Sequence, residues 1–213
     1  MYVPEHFAVS DSESLYGLIR AQPLGMLVTH GPEGLDANHL PFELEVGERA
    51  VLHGHVARNN PVWREVADGS EVLVVFRAGD AYISPNWYPS KHEQHKQVPT
   101  WNYRVVHVHG RVTIKDDERY VRGVVARLTR THEASQEKPW KMTDSAPEYI
   151  DAMLKAIVGI QVEITRVVGK LKLSQNKDKR DIESAGQALV AKGKTTIGAA
   201  MLACADPCPG RER

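Results

Sequence analysis

Strand-type segments fill the first half of this chain, and long helical patterns appear only after them. Leu24 to His30, Leu35 to Val46 (interrupted by Pro41), Ala50 to Val56, Glu71 to Phe76 and Arg104 to Lys115 each read as extended, by alternation or by β-branched runs. Gly31-Pro32-Glu33-Gly34 is a turn. The helical signals among them are short. Ser10 and Glu13 form a capping box ahead of a helix over 11–21 marked by Leu15, Leu18 and Ile19. Asn60-Pro61 starts another, with Pro61 suited to a first turn. After Asp116 the period changes. Tyr120, Val124, Val125 and Leu128 mark a helix over 117–130, and Ser145-Ala146-Pro147-Glu148 is a capping box for one over 147–157. Gly159 to Val168 returns as a strand, followed by helices over 178–191 and 195–203. Strands in series and then helices exclude a βαβ repeat and point to an α+β fold built on a sheet or barrel. The expected organisation is one domain over 1–200, its helices toward the C-terminus, with 201–213 as a flexible tail.

Charge and cysteine usage narrow the function. Lys+Arg and Asp+Glu both number 27, so the chain lacks the basic excess usual for a phosphate-backbone binder, and DNA contact has no support from bulk charge. Cys204 and Cys208 form a CxxxC pair with no His nearby, a poor metal pattern that reads as part of the tail. His107-Val108-His109 and His92-Glu93-Gln94-His95 have short spacing, yet neither is an HExxH helix, so no metal site is expected. The N-terminus does not read as a signal peptide, and no apolar run approaches the ~20 residues of a membrane span. The expected location is the cytoplasm.

Four segments could carry chemistry. In His53-Gly54-His55-Val56-Ala57-Arg58-Asn59-Asn60-Pro61 the two histidines share one strand face, and Arg58 precedes a helix start. A cation beside free helix amides suits a phosphate; the competing reading is packed histidines and an Arg58 paired with an acid. Tyr82 to Tyr103 is rich in proline and aromatics and poor in periodicity, so it reads as an ordered functional loop. Within it, Trp87, Tyr88, Trp101 and Asn102 could hold a flat heteroaromatic ring, or the tryptophans could anchor the loop to the core. In Gly169-Lys170-Leu171-Lys172-Leu173-Ser174-Gln175-Asn176 the two lysines share a face, as a site or as a solvated edge.

Together these segments resemble the PaiB family of FMN-binding split-barrel proteins. The resemblance starts with Met1-Tyr2-Val3-Pro4, His6-Phe7 and His39-Leu40-Pro41-Phe42, followed by His53 to Pro61. It continues through Tyr82-Ile83-Ser84-Pro85, Trp87-Tyr88, Ser90-Lys91 and Val98-Pro99-Thr100-Trp101-Asn102-Tyr103, and ends with Gly169 to Asn176. It implies a split β-barrel, six-stranded and Greek-key-like, with flanking helices. It also implies a homodimer with FMN in the dimer cleft, and a role as a negative transcriptional regulator. Carried onto this chain, it makes His55 and Arg58 phosphate ligands, with Asn59 or Asn60 in support. Lys91, Trp101 and Asn102 fall to the ring or ribityl region, and Gln175 and Asn176 to the strand exit. The alternatives are a flavin-dependent oxidoreductase using NAD(P)H, with His55 and Tyr103 available for proton transfer, and a haem-handling barrel drawing on ten histidines.

Overall fold

The computed structural model describes residues 1–205. The strands are β1 (Ala8–Val9), β2 (Leu24–Gly31), β3 (Gly34–Pro41), β4 (Glu43–Val46), β5 (Ala50–Ala57), β6 (Glu71–Ile83), β7 (Thr100–Lys115) and β8 (Ile157–Lys172). The helices are α1 (Ser12–Ala21), α2 (Val62–Glu65), α3 (Pro89–Gln94), α4 (Glu118–Glu133), α5 (Pro147–Lys155), α6 (Lys179–Ala191) and α7 (Thr195–Ala205). The strands form one antiparallel sheet in the order β3-β2-β6-β7-β8-β5-β4, with β1 paired to β8. This is the α+β split-barrel class expected from the sequence, with eight strands rather than six. By contact density the chain groups into two compact units: Met1–Leu15, Arg77–Val106 and the chain from Val168, and Tyr16–Phe76 with His107–Val167.

In the second unit, β2 pairs with β3 through the turn at Gly34, whose φ of +104° favours glycine. Alternation buries Gly25, Leu27 and Thr29 of β2 and turns Leu24, Met26 and Val28 the other way. Phe42 and Phe76 meet edge to face at 6.0 Å, and a Cβ at Gly25 would lie 2.8 Å from Phe76 and Val74, so only glycine admits the pair. Helix α4 is capped by Asp117, whose carboxylate accepts from Tyr120 N at 2.7 Å, and it buries Val121, Val124 and Leu128 at helical spacing. Val121, Ile150 and Leu154 join α4 to α5 in a small core of their own.

In the first unit, Ile83, Tyr88, Leu173, Ile182, Leu189, Ile197 and Met201 form the core. Helices α6 and α7 approach closely because Gly186 and Gly198 lie at their contact: a Cβ at Gly198 would sit 2.7 Å from Val190 and 2.9 Å from Gly186 O. The stretch expected as a loop over 82–103 is largely regular. β6 runs on to Ile83, Pro85–Trp87 is a 3₁₀ turn capped by Ser84, α3 follows, and β7 starts at Thr100.

Both expected capping boxes are replaced. Asp11, not Ser10, caps α1, accepting from Ser14 N at 2.8 Å. The start of α5 has no side-chain cap, and Pro147 at its first position removes one donor that would need it. Residues 201–205, expected as the start of the tail, are instead the last turns of α7, where Met201 and Ala205 are buried; residues 206–213 lie outside the described residues. Cys204 is exposed on that helix, and Cys208 lies outside the described residues.

Candidate functional site

The His53–Pro61 segment, in the second unit, is held by its own neighbours. β5 carries His53 and His55 on one face and pairs with β8, His55 opposite Gly159. Arg58 follows the strand end, and its guanidinium is heavily committed. Its NH1 and NH2 donate to the two Asp116 carboxylate oxygens at 2.9 and 2.6 Å, and its Nε to Lys155 O at 2.6 Å. NH2 also reaches Ile157 O at 3.3 Å, and Trp63 Nε1 donates to Arg58 O. The Asp116 carboxylate raises the Arg58 pKa, and in return lies below its own usual range. The helix start is closed as well: Asn60 Oδ1 caps Val62 N at 3.0 Å, and Asn60 Nδ2 donates to Asn38 Oδ1. Asn59 is exposed. The expected phosphate role of Arg58 and Asn60 therefore meets groups already paired, which is the competing reading of that segment. His55 differs. Its Nδ1 is buried with no hydrogen-bond partner among the described residues, and burial lowers its pKa.

His53 belongs to another cluster of the same unit. Its Nδ1 lies 2.9 Å from Tyr120 OH, and its Nε2 lies 3.2 Å from Glu45 Oε2, off the line of a good hydrogen bond. Burial, then the charge of Arg127, lowers the His53 pKa against the opposing pull of Glu45 and Glu43. Burial also raises the Tyr120 phenol, so it stays protonated.

The remaining expected residues lie in the first unit. Asn102 is fully buried, its Nδ2 donating to Ser174 Oγ at 2.9 Å and to Met201 Sδ at 3.3 Å. Lys91 on α3 donates to Asn86 Oδ1 of the preceding 3₁₀ turn. Gln175 folds back on the backbone, accepting from Leu173 N and donating to Leu171 O. Asn176 is exposed. Trp101 is 55% exposed and meets Tyr82 edge-on at 6.0 Å. Of the expected ring and ribityl ligands, Trp101 alone faces out beside other aromatic surface.

Two lysines not named as ligands from the sequence complete that surface. Lys170 is only 9% exposed; its Nζ donates to Tyr2 O at 3.2 Å and lies 5.4 Å from the Tyr103 ring centroid. Lys172 Nζ donates to Thr100 Oγ1 and, at 2.8 Å, to Trp101 O. Burial lowers the Lys172 pKa, Lys170 lowers it further, and Tyr103 opposes them. Among the described residues neither ammonium has a carboxylate partner. The sequence signal was present in the i, i+2 spacing of Lys170 and Lys172, but a solvated basic edge has the same pattern. A cavity of about 160 Å³ in this unit, lined by Gly79, Asp80 and Gly193 to Ile197, is smaller than the roughly 300–1,000 Å³ of most small-molecule sites.

Residues 1–166 match the family model described as "Putative FMN-binding domain". The chain belongs to that family. It is 30% identical over 182 residues to the protein named protease synthase and sporulation protein PAI 2 of Bacillus subtilis (strain 168), covering 85% of each chain. Its fold is similar to that of the flavocytochrome Anf3 from Azotobacter vinelandii, with a TM-score of 0.57 at 13% identity over 80% of this chain and 72% of that one. The FAD and haem binding protein from Mycobacterium smegmatis gives a TM-score of 0.56 at 18% identity over 78% and 73%. Among the described residues no helix is long and apolar enough to cross a membrane.

Proposed function

We propose that the chain is a flavoprotein that binds FMN on the lysine–aromatic face of β7 and β8. The observation that carries this reading is the pair Lys170 and Lys172, two part-buried cations held, among the described residues, by neutral oxygens and aromatic rings. A cation withdrawn from water is best compensated by an opposite charge, and here none comes from the described residues. A phosphate monoester supplies it. Trp101 and Tyr82 offer exposed flat surface next to the lysines, which suits a fused ring system. FMN bound there supplies one- and two-electron redox chemistry, while the chain's own groups bind and orient it. In this reading Lys170 and Lys172 take the phosphate role first given to Arg58.

The same reading makes the protein a homodimer with the flavin in the dimer cleft. The lysine face is open, so a flavin laid on it needs a second wall. In the other unit Leu24, Met26, Val28, Ala37 and Leu73 share the outward side of β2 and its two neighbours, by the register Val28↔Ala37 and Val28↔Leu73. Leu24 is 62% exposed there. An apolar sheet face of this kind suits a second copy.

We further infer a cytoplasmic role in the negative control of transcription, supported by the likeness to a protein named for protease synthesis and sporulation. A net charge of zero favours control through a partner protein or metabolite over direct DNA contact.

Titration of purified protein with FMN, FAD and riboflavin, read by flavin fluorescence, tests the cofactor. Saturable binding of FMN, with riboflavin about ten- to hundredfold weaker, is the expected result. Equal affinity for FMN and riboflavin would overturn the phosphate role of the lysines, and no binding of any flavin would overturn the reading.

A further inference from the structure

Strand alternation puts Trp101 and Tyr103 on one side of β7 and Asn102 on the other. Asn102 is fully buried, yet its Oδ1 has no hydrogen-bond partner among the described residues. Its Nδ2 reaches across to Ser174 Oγ at 2.9 Å, and Tyr88 OH meets the same Oγ at 2.9 Å. Ser174 holds a φ of +69°, in the left-handed region that a non-glycine residue occupies only at a cost. A half-satisfied buried amide and a strained serine together cost more than apolar packing would at the same place. What the link gains is geometry. Ser174 lies two residues beyond Lys172, whose Nζ is bonded to Thr100 Oγ1 and Trp101 O, the residues just before Asn102. The ends of β7 and β8 are thus tied to each other at two neighbouring points, one through Ser174 and one through Lys172.

We propose that Asn102 and Ser174 are positioning residues: their bond on the buried side of the sheet holds Lys172 where it meets the phosphate of the flavin, without touching the ligand. This rests on the flavin reading above. It replaces the direct contact that the resemblance implied for Asn102, and it explains why a polar side chain stands in the core behind the lysine face.

In Ser174→Gly the contrast between FMN and riboflavin separates positioning from stability. Glycine adopts a positive φ without strain, so the backbone keeps its path while the hydroxyl is lost. The expected result is a melting temperature lowered by a few degrees, because Asn102 and Tyr88 lose their shared partner, with FMN affinity lower by about tenfold and riboflavin affinity nearly unchanged. Equal loss for both flavins means general loosening and overturns the proposal, as does no loss for either. A readout without flavin accompanies it: in protein labelled at lysine ¹³Cε, the Lys172 amine titrates higher in Ser174→Gly than in the unaltered protein, because the ammonium is released toward water. An unchanged midpoint overturns the proposal. Absence of flavin binding by the unaltered protein overturns the flavin reading alone, and the lysine titration then decides the positioning role.

Discussion

Arg58 and Lys170 are both part-buried cations near strand ends, and their partners separate their roles. Arg58 faces the carboxylate of Asp116 and two carbonyls, so its charge is compensated within the chain. Lys170 faces a carbonyl and two aromatic rings, which leave most of its charge uncompensated. Lys170→Met and Lys172→Met should each weaken FMN binding by roughly 1.5–3 kcal/mol, ten- to hundredfold, with riboflavin much less affected. Arg58→Met should do the reverse, lowering the melting temperature by a few degrees while FMN affinity stays unchanged; a large loss of FMN affinity in that variant would return Arg58 to the site. The sequence could not separate these cases. A strand-end arginine before a helix and two lysines on a strand both read as anion sites until the counter-charge is located, and Asp116 is 58 positions from Arg58 along the chain.

At the level of elements, close contacts fix where helices meet strands. Gly159 of β8 faces the ring of Tyr120 on α4: a Cβ would lie 2.5 Å from Tyr120 Cε1 and 3.0 Å from Lys115 O. Tyr120 is held from its other end by His53, so it has little freedom to yield. Gly159→Ala should therefore destabilise by about 1–3 kcal/mol, seen as a lower urea midpoint at unchanged slope. A midpoint equal to that of the unaltered protein would mean that α4 can shift. The strands were legible in the sequence where alternation or β-branched runs report the pleat, as alternating burial shows in β2 and in much of β7. The stretch from Tyr82 to Tyr103 was not, because prolines and aromatics mask short elements, and α3 spans only Pro89–Gln94. The end of α7 was missed for a different reason. Its alanines, glycine and methionine show no polar face, so no amphipathic stripe marks how far it runs. Helix starts were legible to within a residue or two, but the capping side chain was not, since Ser10 and Asp11 are both competent caps and geometry selects Asp11.

For the molecule as a whole, the histidines with shifted pKa values are concentrated in one unit. His53, His55, His107 and His109 all have pKa values lowered from 6.5, with burial the leading cause in each, and all four lie within Tyr16–Phe76 and His107–Val167. The sign follows from linkage. A histidine whose folded pKa is depressed binds its proton more readily in the unfolded chain, so acid favours unfolding. Stability from these groups is complete above about pH 6.5, the unfolded value, and is lost as the pH falls below it toward the folded values. The histidine contribution to the melting temperature should be constant above neutral pH and decline steadily below about 6.5. His55→Gln should flatten part of that decline, because it removes one of the imidazoles that must stay neutral. Hydrogen exchange adds the spatial check: amides of β2 to β5 and α4 should lose protection on acidification before those of α6 and α7, which share a unit with none of the four. A melting temperature that does not move down to about pH 5, or protection lost first in α6 and α7, would show that these histidines are solvated in solution and that the acid-sensitive part of the fold lies elsewhere.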